Sequence, residues 1–370
     1  MGTKIYLSSP HMSDEAYEQE YVKKAFDTNW IAPLGENVDE FENEIKKYIG
    51  EDKEVLAMSS GTSAIHMALK YIGVKAGDIV FCSSLTFAAS CNPIVYLGAT
   101  PVFVDCCPET WNMSVRALEK AFQKYKPKAV VAVNLYGQSC DYDKIRELCE
   151  IYECPIVEDA AESLGALYKG RQTGTFGNFG AFSFNGNKII TTSGGGMLVC
   201  PDKETKGKIK KWITQSRENE RFYEHKELGY NYRMSNVCAG IGRGQMKVLE
   251  KRIEQKTNIF KKYQKAFDDI EEINMMPVDE CGTPNFWLSC ITLKRKRPLE
   301  IIEKLEKENI ESRHIWKPMH MQPIYKECDY FMHETDVAKE IFETGICLPS
   351  DTKMTNEEID KIIGIVKDMF

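Results

Sequence analysis

Between residues 54 and 200 the chain repeats one unit, a short apolar run followed by an amphipathic helical stretch. Val55-Leu56-Ala57-Met58 leads into a segment with Ile65, Ala68, Leu69 and Ile72 on one helical face. Ile79-Val80-Phe81-Cys82 precedes a second helix, and Pro101-Val102-Phe103-Val104 is followed by Leu118, Phe122 and Tyr125 at helical spacing. Ala129-Val130-Val131-Ala132-Val133 and Pro155-Ile156-Val157 bracket a helix carrying Ile145, Leu148, Cys149 and Tyr152. Strands without polar alternation must be covered on both faces. Alternating with helices, they predict an α/β fold whose mostly parallel sheet is sandwiched by helices.

Beyond Gly194 the texture changes. Residues 235–270 read as long, charged helices with Val248, Leu249 and Ile253 on the apolar side. A strand over 286–293, a helix from Leu299 to Glu308 and a last helix with Ile359, Ile362, Ile363 and Val366 on one face follow. The 370 residues are enough for two domains. We expect a large domain over 1–250, with an N-terminal arm, and a smaller α+β domain over 251–370.

Charge narrows the function classes. The net charge is −7, from 48 basic and 55 acidic residues without a long run of one sign, which argues against nucleic acid or an anionic membrane as partner. No stretch approaches the roughly 20 apolar residues of a membrane span. Met1-Gly2-Thr3-Lys4-Ile5-Tyr6 has no signal-peptide core, and Tyr6 breaks the myristoylation pattern. The thirteen cysteines include no C-x-x-C pair, and the six histidines show no ligand spacing. They read as buried thiols of a reducing, cytoplasmic compartment, with no metal expected.

In an open parallel sheet, ligands gather at the carboxyl ends of the strands. Four segments there carry unusual residues. Lys188 stands between an apolar aromatic strand (Gly180 to Phe184) and the triplet Gly194-Gly195-Gly196. A lysine losing hydration in such surroundings is freed as a nucleophile, the state a covalent aldehyde-binding lysine needs; a solvated loop lysine is the ordinary alternative. Ser59-Ser60-Gly61-Thr62-Ser63 opens a helix, where small residues and free N–H groups suit a phosphate, or simply form an N-cap. Asp159, just after a buried strand, needs a cationic partner such as a protonated pyridine nitrogen, or else caps a helix. Phe87 offers a planar face to a planar cofactor, or belongs to the core. An amine, an acid, an anion site and a ring together are what pyridoxal phosphate requires.

The chain resembles the DegT/DnrJ/EryC1/StrS family of sugar-nucleotide aminotransferases, from Trp30-Ile31-Ala32-Pro33-Leu34-Gly35 to Leu348-Pro349-Ser350. The resemblance is carried by Ser60-Gly61-Thr62-Ser63-Ala64, Asn134-Leu135-Tyr136-Gly137, Glu158-Asp159-Ala160-Ala161-Glu162, Gly174-Thr175-Phe176-Gly177, Ser183 to Lys188, Gly229-Tyr230-Asn231-Tyr232-Arg233 and Trp316-Lys317-Pro318-Met319-His320. It implies the aspartate-aminotransferase (type I) fold and pyridoxal 5'-phosphate as cofactor. Within the family the run from Phe184 to Gly196 is similar to enzymes that aminate the 4-keto carbon of UDP-2-acetamido-2,6-dideoxy-hexos-4-ulose in bacillosamine and exopolysaccharide pathways.

The resemblance also implies roles. Lys188 would bond to the cofactor's aldehyde and shuttle protons, and Asp159 would keep its pyridine nitrogen protonated. Gly61, Thr62 and Ser183 would bind the phosphate, Phe87 would stack on the ring, and Glu162, where many members carry Gln, would lie near its hydroxyl. Asn231 and Arg233 would reach the phosphate in the neighbouring subunit of a homodimer with shared active sites. His320 would serve the sugar pocket or pack as an ordinary histidine. The implied substrates are a nucleotide sugar and L-glutamate. Three rivals remain at this point: C-3 amination of a dTDP-keto sugar, a dehydratase, and a catalytically silent regulatory or scaffold homologue. Family dehydratases carry histidine at the lysine position, so Lys188 argues against the second.

Overall fold

The computed structural model describes residues 4–295 and 297–370. Met1, Gly2 and Thr3, on which part of the N-terminal reading falls, lie outside the described residues. Eight strands form one sheet in the order Glu54–Met58, Gly196–Cys200, Phe179–Ser183, Ile156–Asp159, Ala129–Val133, Ile79–Ser83, Thr100–Val104 and Tyr330–Phe331. Neighbours pair in parallel except Gly196–Cys200, which is antiparallel to both strands beside it.

The unbroken apolar runs are explained by what covers them. Alternate residues of each strand enter different cores: Val80, Cys82, Val131 and Val157 pack on one side, under helix Gly61–Ile72. Phe81, Val130, Ala132 and Ile156 face helices Val115–Lys124 and Tyr142–Ile151 on the other. Each buried Val, Ile or Phe among them contributes about 1.5–3 kcal/mol.

A second sheet runs Ile273–Met275, Ser289–Leu293, Gly345–Leu348, Arg313–His314, antiparallel throughout. It shares a core with helices Leu249–Phe267, Pro298–Lys307 and Asn356–Lys367.

Three expectations change in detail. The helix expected after Cys82 is only a turn, Ala88–Ser90, and a short helix, Asn92–Tyr96. Thr86 and Ser90 bond each other through their hydroxyls (2.7 Å) rather than support a longer helix. The strand expected from Phe286 begins at Ser289, because Phe286 holds a left-handed φ of 50°. The expected division near residue 250 is crossed in both directions. Ile5 bridges to Ile310 in the smaller unit's core, while Tyr330–Phe331 extends the large sheet and Met319 and Tyr325 pack against it.

Candidate active site

Strands Ile156–Asp159 and Phe179–Ser183 lie side by side, with Asp159 paired to Ala181. Their carboxyl ends therefore bring Asp159, Glu162 and, after a short turn, Lys188 close together. Lys188 Nζ lies 3.7 Å from Glu162 Oε1 and 4.0 Å from the centre of the Trp287 ring.

Both acids are buried. Asp159 Oδ2 accepts the Ser90 hydroxyl at 2.6 Å and Oδ1 accepts the Ala161 N–H at 3.1 Å. Burial nonetheless pushes its carboxyl pKa up, against the pull of Ser90, Ala161 and Lys188. No helix follows Asp159, so helix capping does not account for it. Glu162 accepts the Tyr136 N–H at 2.7 Å, and its pKa is likewise raised by burial and lowered less by Lys188. Neighbouring Glu158 is spent on structure: it accepts N–H groups of Gly174 (2.6 Å) and Phe176 (2.8 Å) and the Asn134 amide (2.9 Å).

The helix Gly61–Ile72 opens against the end of strand Phe179–Ser183. Ser60 and Ser63 form a reciprocal capping box at 3.1 Å each way, which leaves the first-turn N–H groups of Gly61 and Thr62 outside it. Capping and anion binding thus coexist here. Ser183 stands against Gly61, where an added Cβ would meet the Ser183 Cβ at 3.1 Å. At Gly196 a Cβ would fall 2.3 Å from the Ser60 carbonyl carbon, so only glycine lets that strand pass the helix start.

Phe87 is not core: 53% of its surface is exposed, and its ring sits 5.0 Å from that of Trp316. Asn231 is exposed and lines a depression of 670 Å³ with Trp30, Leu34 and Lys210. Arg233 departs from expectation. It is buried, and its guanidinium donates to Glu42 at 2.8 Å and to the Ala57 carbonyl at 3.3 Å, so its charge is consumed within its own subunit. His320 is also engaged internally, bonded to Ser84 Oγ at 2.7 Å and stacked on Tyr330 at 3.7 Å. Burial lowers its pKa. This geometry favours the packing alternative over a sugar contact.

Sequence reasoning missed Ser90, Trp287 and the role of Asn285, whose amide bonds the carbonyls of Glu162 and Leu164. Their only signal was polar or indole character beside strand ends. Among the described residues no group of three or more His, Cys, Asp or Glu side chains could hold a metal, and no helix is long and apolar enough to cross a membrane.

Pyridoxal phosphate fits this site on its own terms. The buried Asp159 carboxyl calls for a cation, the helix start at Gly61 and Thr62 accommodates a phosphate, Phe87 presents an open ring, and Lys188 supplies the amine. A family model described as the DegT/DnrJ/EryC1/StrS aminotransferase family matches residues 12–367. The chain is 49% identical, over 100% of its own length and 97% of the relative's, to EpsN of Bacillus subtilis (strain 168), provisionally named a pyridoxal phosphate-dependent aminotransferase. It is 36% identical to the GDP-perosamine synthase of Escherichia coli O157:H7 over 95% of both. It is also 36% identical, over 63% of its length and 62% of the relative's, to the Campylobacter jejuni UDP-4-amino-4,6-dideoxy-N-acetyl-beta-L-altrosamine transaminase. The PLP-form of Spr1654 from Streptococcus pneumoniae, provisionally described as a sugar aminotransferase, superposes with a TM-score of 0.91 at 26% identity over 100% of both chains.

Proposed function

Because the chain belongs to the DegT/DnrJ/EryC1/StrS aminotransferase family, we propose that it moves the amino group of L-glutamate to the 4-keto carbon of UDP-2-acetamido-2,6-dideoxy-hexos-4-ulose. Sugar-nucleotide amino transfer with pyridoxal 5'-phosphate is its activity; the proposal concerns the particular sugar, the donor and the pairing of subunits. The observation carrying the chemistry is Lys188 Nζ beside Glu162, with Asp159 buried at the adjacent strand end. When bound, the cofactor supplies an electron sink for breaking and making bonds at the carbon that carries nitrogen.

The protein's residues do the rest. Asp159, ionised, holds a proton on the pyridine nitrogen. Lys188 Nζ takes and returns a proton between donor and acceptor carbons. Gly61, Thr62 and Ser183 anchor the phosphate, and Phe87 fixes the ring plane. With Lys188 and Asp159 both intact, a silent scaffold is the weaker reading.

The UDP sugar is supported by the run from Phe184 to Gly196 and by the printed name of the Campylobacter jejuni relative. A GDP-linked sugar is the second reading, favoured by the perosamine synthase likeness over 95% of both chains. An amino-transfer assay with UDP-, GDP- and dTDP-linked keto sugars decides between them. Fastest transfer to the UDP 4-keto sugar is expected, and faster transfer to a GDP sugar or a dTDP 3-keto sugar overturns the substrate.

A homodimer with shared sites completes the proposal. Exposed Asn231, beside exposed Trp30, Ile31 and Leu34, is suited to donate its amide to the partner's cofactor phosphate. Mixing Lys188→Ala chains with Asn231→Ala chains should restore activity. No recovery after verified subunit exchange would place Asn231 in its own subunit's service.

A further inference from the structure

We propose that Trp287 is the resting place of Lys188 whenever that lysine is not joined to the cofactor, which makes Trp287 a positioning residue for amino transfer. The inference rests on Lys188 being the cofactor lysine. Amino transfer obliges that lysine to leave the cofactor carbon in the donor half-reaction and to return to it at the end of the acceptor half-reaction. A released lysine tail has many rotamers to explore, so its return depends on what confines it.

Trp287 grips Lys188 at both ends. Its indole Nε1–H donates to the carbonyl of Asn187 at 2.7 Å, fixing the backbone immediately before the lysine. Its ring centre lies 4.0 Å from Nζ at the other end of the same side chain. The Glu162 carboxylate stands 3.7 Å from Nζ, beyond hydrogen-bond length. The amine is therefore held by a ring face and a nearby charge, neither of which demands that a short hydrogen bond be broken for it to leave.

The holder is itself held. Trp287 is 1% exposed. Its N–H donates to Asn285 Oδ1 at 2.9 Å, and its carbonyl accepts Lys256 Nζ at 3.0 Å. The same Asn285 side chain donates to the Glu162 carbonyl at 3.0 Å, so one buried amide ties together the ring and the acid that flank the amine. Gly137 makes room for that amide: a Cβ there would lie 1.9 Å from Asn285 Oδ1. The Ser8 hydroxyl also donates to the Asn187 carbonyl (3.1 Å), so the N-terminal arm reinforces the turn.

The test uses cofactor-free protein, where Lys188 is always released. Reductive methylation with formaldehyde and cyanoborohydride is followed peptide by peptide at neutral pH, with exposed Lys23 as internal reference. Trp287→Met should speed modification of Lys188 about fivefold relative to Lys23, the loss of one ring–cation contact. Trp287→Phe, which keeps a ring face and loses the indole donor, should stay within about twofold of wild type. In the loaded enzyme Trp287→Met should lower kcat while leaving the donor KM nearly unchanged, and Trp287→Phe should recover most of it. Unchanged labelling in folded Trp287→Met, or an equal rise in Trp287→Phe, overturns the proposal. Should Trp287→Met not fold, wild-type protein with ¹³C-labelled lysine still decides. One ε-methylene resonance, lost in Lys188→Arg, should be shifted upfield by the indole ring, and its absence overturns the proposal. Lys188 as cofactor lysine is tested separately, by its borohydride-trapped adduct.

Discussion

Lys188 and Lys256 are both sequestered lysines near Trp287, and they are held in opposite ways. Lys256 is buried on helix Leu249–Phe267, where its ammonium donates to Ser8 Oγ (3.1 Å), the Trp287 carbonyl (3.0 Å) and the Ser350 carbonyl (2.5 Å). All three of its donors are used, and burial pushes its pKa down to about 7. Among the described residues Lys188 Nζ makes no such set of short bonds; it faces the Trp287 ring and the Glu162 carboxylate. Lost hydration, the reason the sequence first offered for a reactive Lys188, describes Lys256 better. The comparison teaches that a depressed pKa does not designate a nucleophile. The reading proposed for Lys188 rests instead on its unspent valence beside an acid pair.

The largest expected effect tests that contrast directly. Lys188→Ala should cut amino transfer about 10⁴-fold, the upper range for loss of a positioned proton-transfer group, while its melting temperature stays close to wild type. Borohydride should trap the cofactor on the Lys188 peptide of the unsubstituted protein. Turnover within tenfold of wild type, or an adduct on Lys256, would erase the distinction between the two lysines. Asp159→Asn comes next, with about a 10²–10³-fold loss of turnover from removing one preorganised charge. Near-normal turnover and cofactor affinity in that variant would reduce Asp159 to a structural acid.

Lys256→Met should reverse the pattern, with modest loss of activity per folded molecule and a stability cost on the order of 3 kcal/mol from orphaned acceptors. Its pH signature is specific. The folded pKa lies below the unfolded value, so between about pH 7 and the ordinary lysine range the unfolded chain binds the extra proton, and stability rises with pH. Lys256→Met should lose that rise in thermal melts. The raised carboxyls Asp159 and Glu162 slope the other way. Their contribution is present below ordinary carboxyl values and is lost as pH climbs through the raised ones. A cation brought to Asp159 by the cofactor should therefore lift the melting temperature more at about pH 8 than at about pH 5. A pH-independent gain would contradict the pairing.

What the sequence revealed was whatever depends on local pattern. Most strands of the large sheet announced themselves as unbroken apolar runs, and Gly61, Thr62, Asp159 and Lys188 drew notice by standing near their ends. What it hid depends on distant pairing. Tyr330–Phe331 joins Thr100–Val104 across more than two hundred residues, and two residues give no periodicity to read. Arg233 looked available because nothing local reveals Glu42, 191 positions away. Lys256 read as one more cation on a charged helix, since its acceptors lie at residues 8, 287 and 350.

The smallest predicted effect is at Ser90, and it sharpens the contrast from the side of Lys188. Ser90 Oγ donates to Asp159 Oδ2 at 2.6 Å and meets Thr86 Oγ1 at 2.7 Å. That bond lowers the Asp159 pKa against the rise that burial imposes. Ser90→Ala removes it, so the carboxyl should titrate higher and the acid limb of the turnover profile should move to higher pH. A hydrogen bond to a charged group is worth about 1.5–3 kcal/mol. The pyridinium shares in stabilising this carboxylate, so the lower end applies, about a tenfold loss of turnover near neutral pH. Ser90→Thr, which keeps the hydroxyl, should lose less. Thermal stability should barely move, because Asp159 can then keep its proton in the cofactor-free protein. A lower melting temperature with an unshifted acid limb would make Ser90 a packing residue, in the same class as the ligands of Lys256.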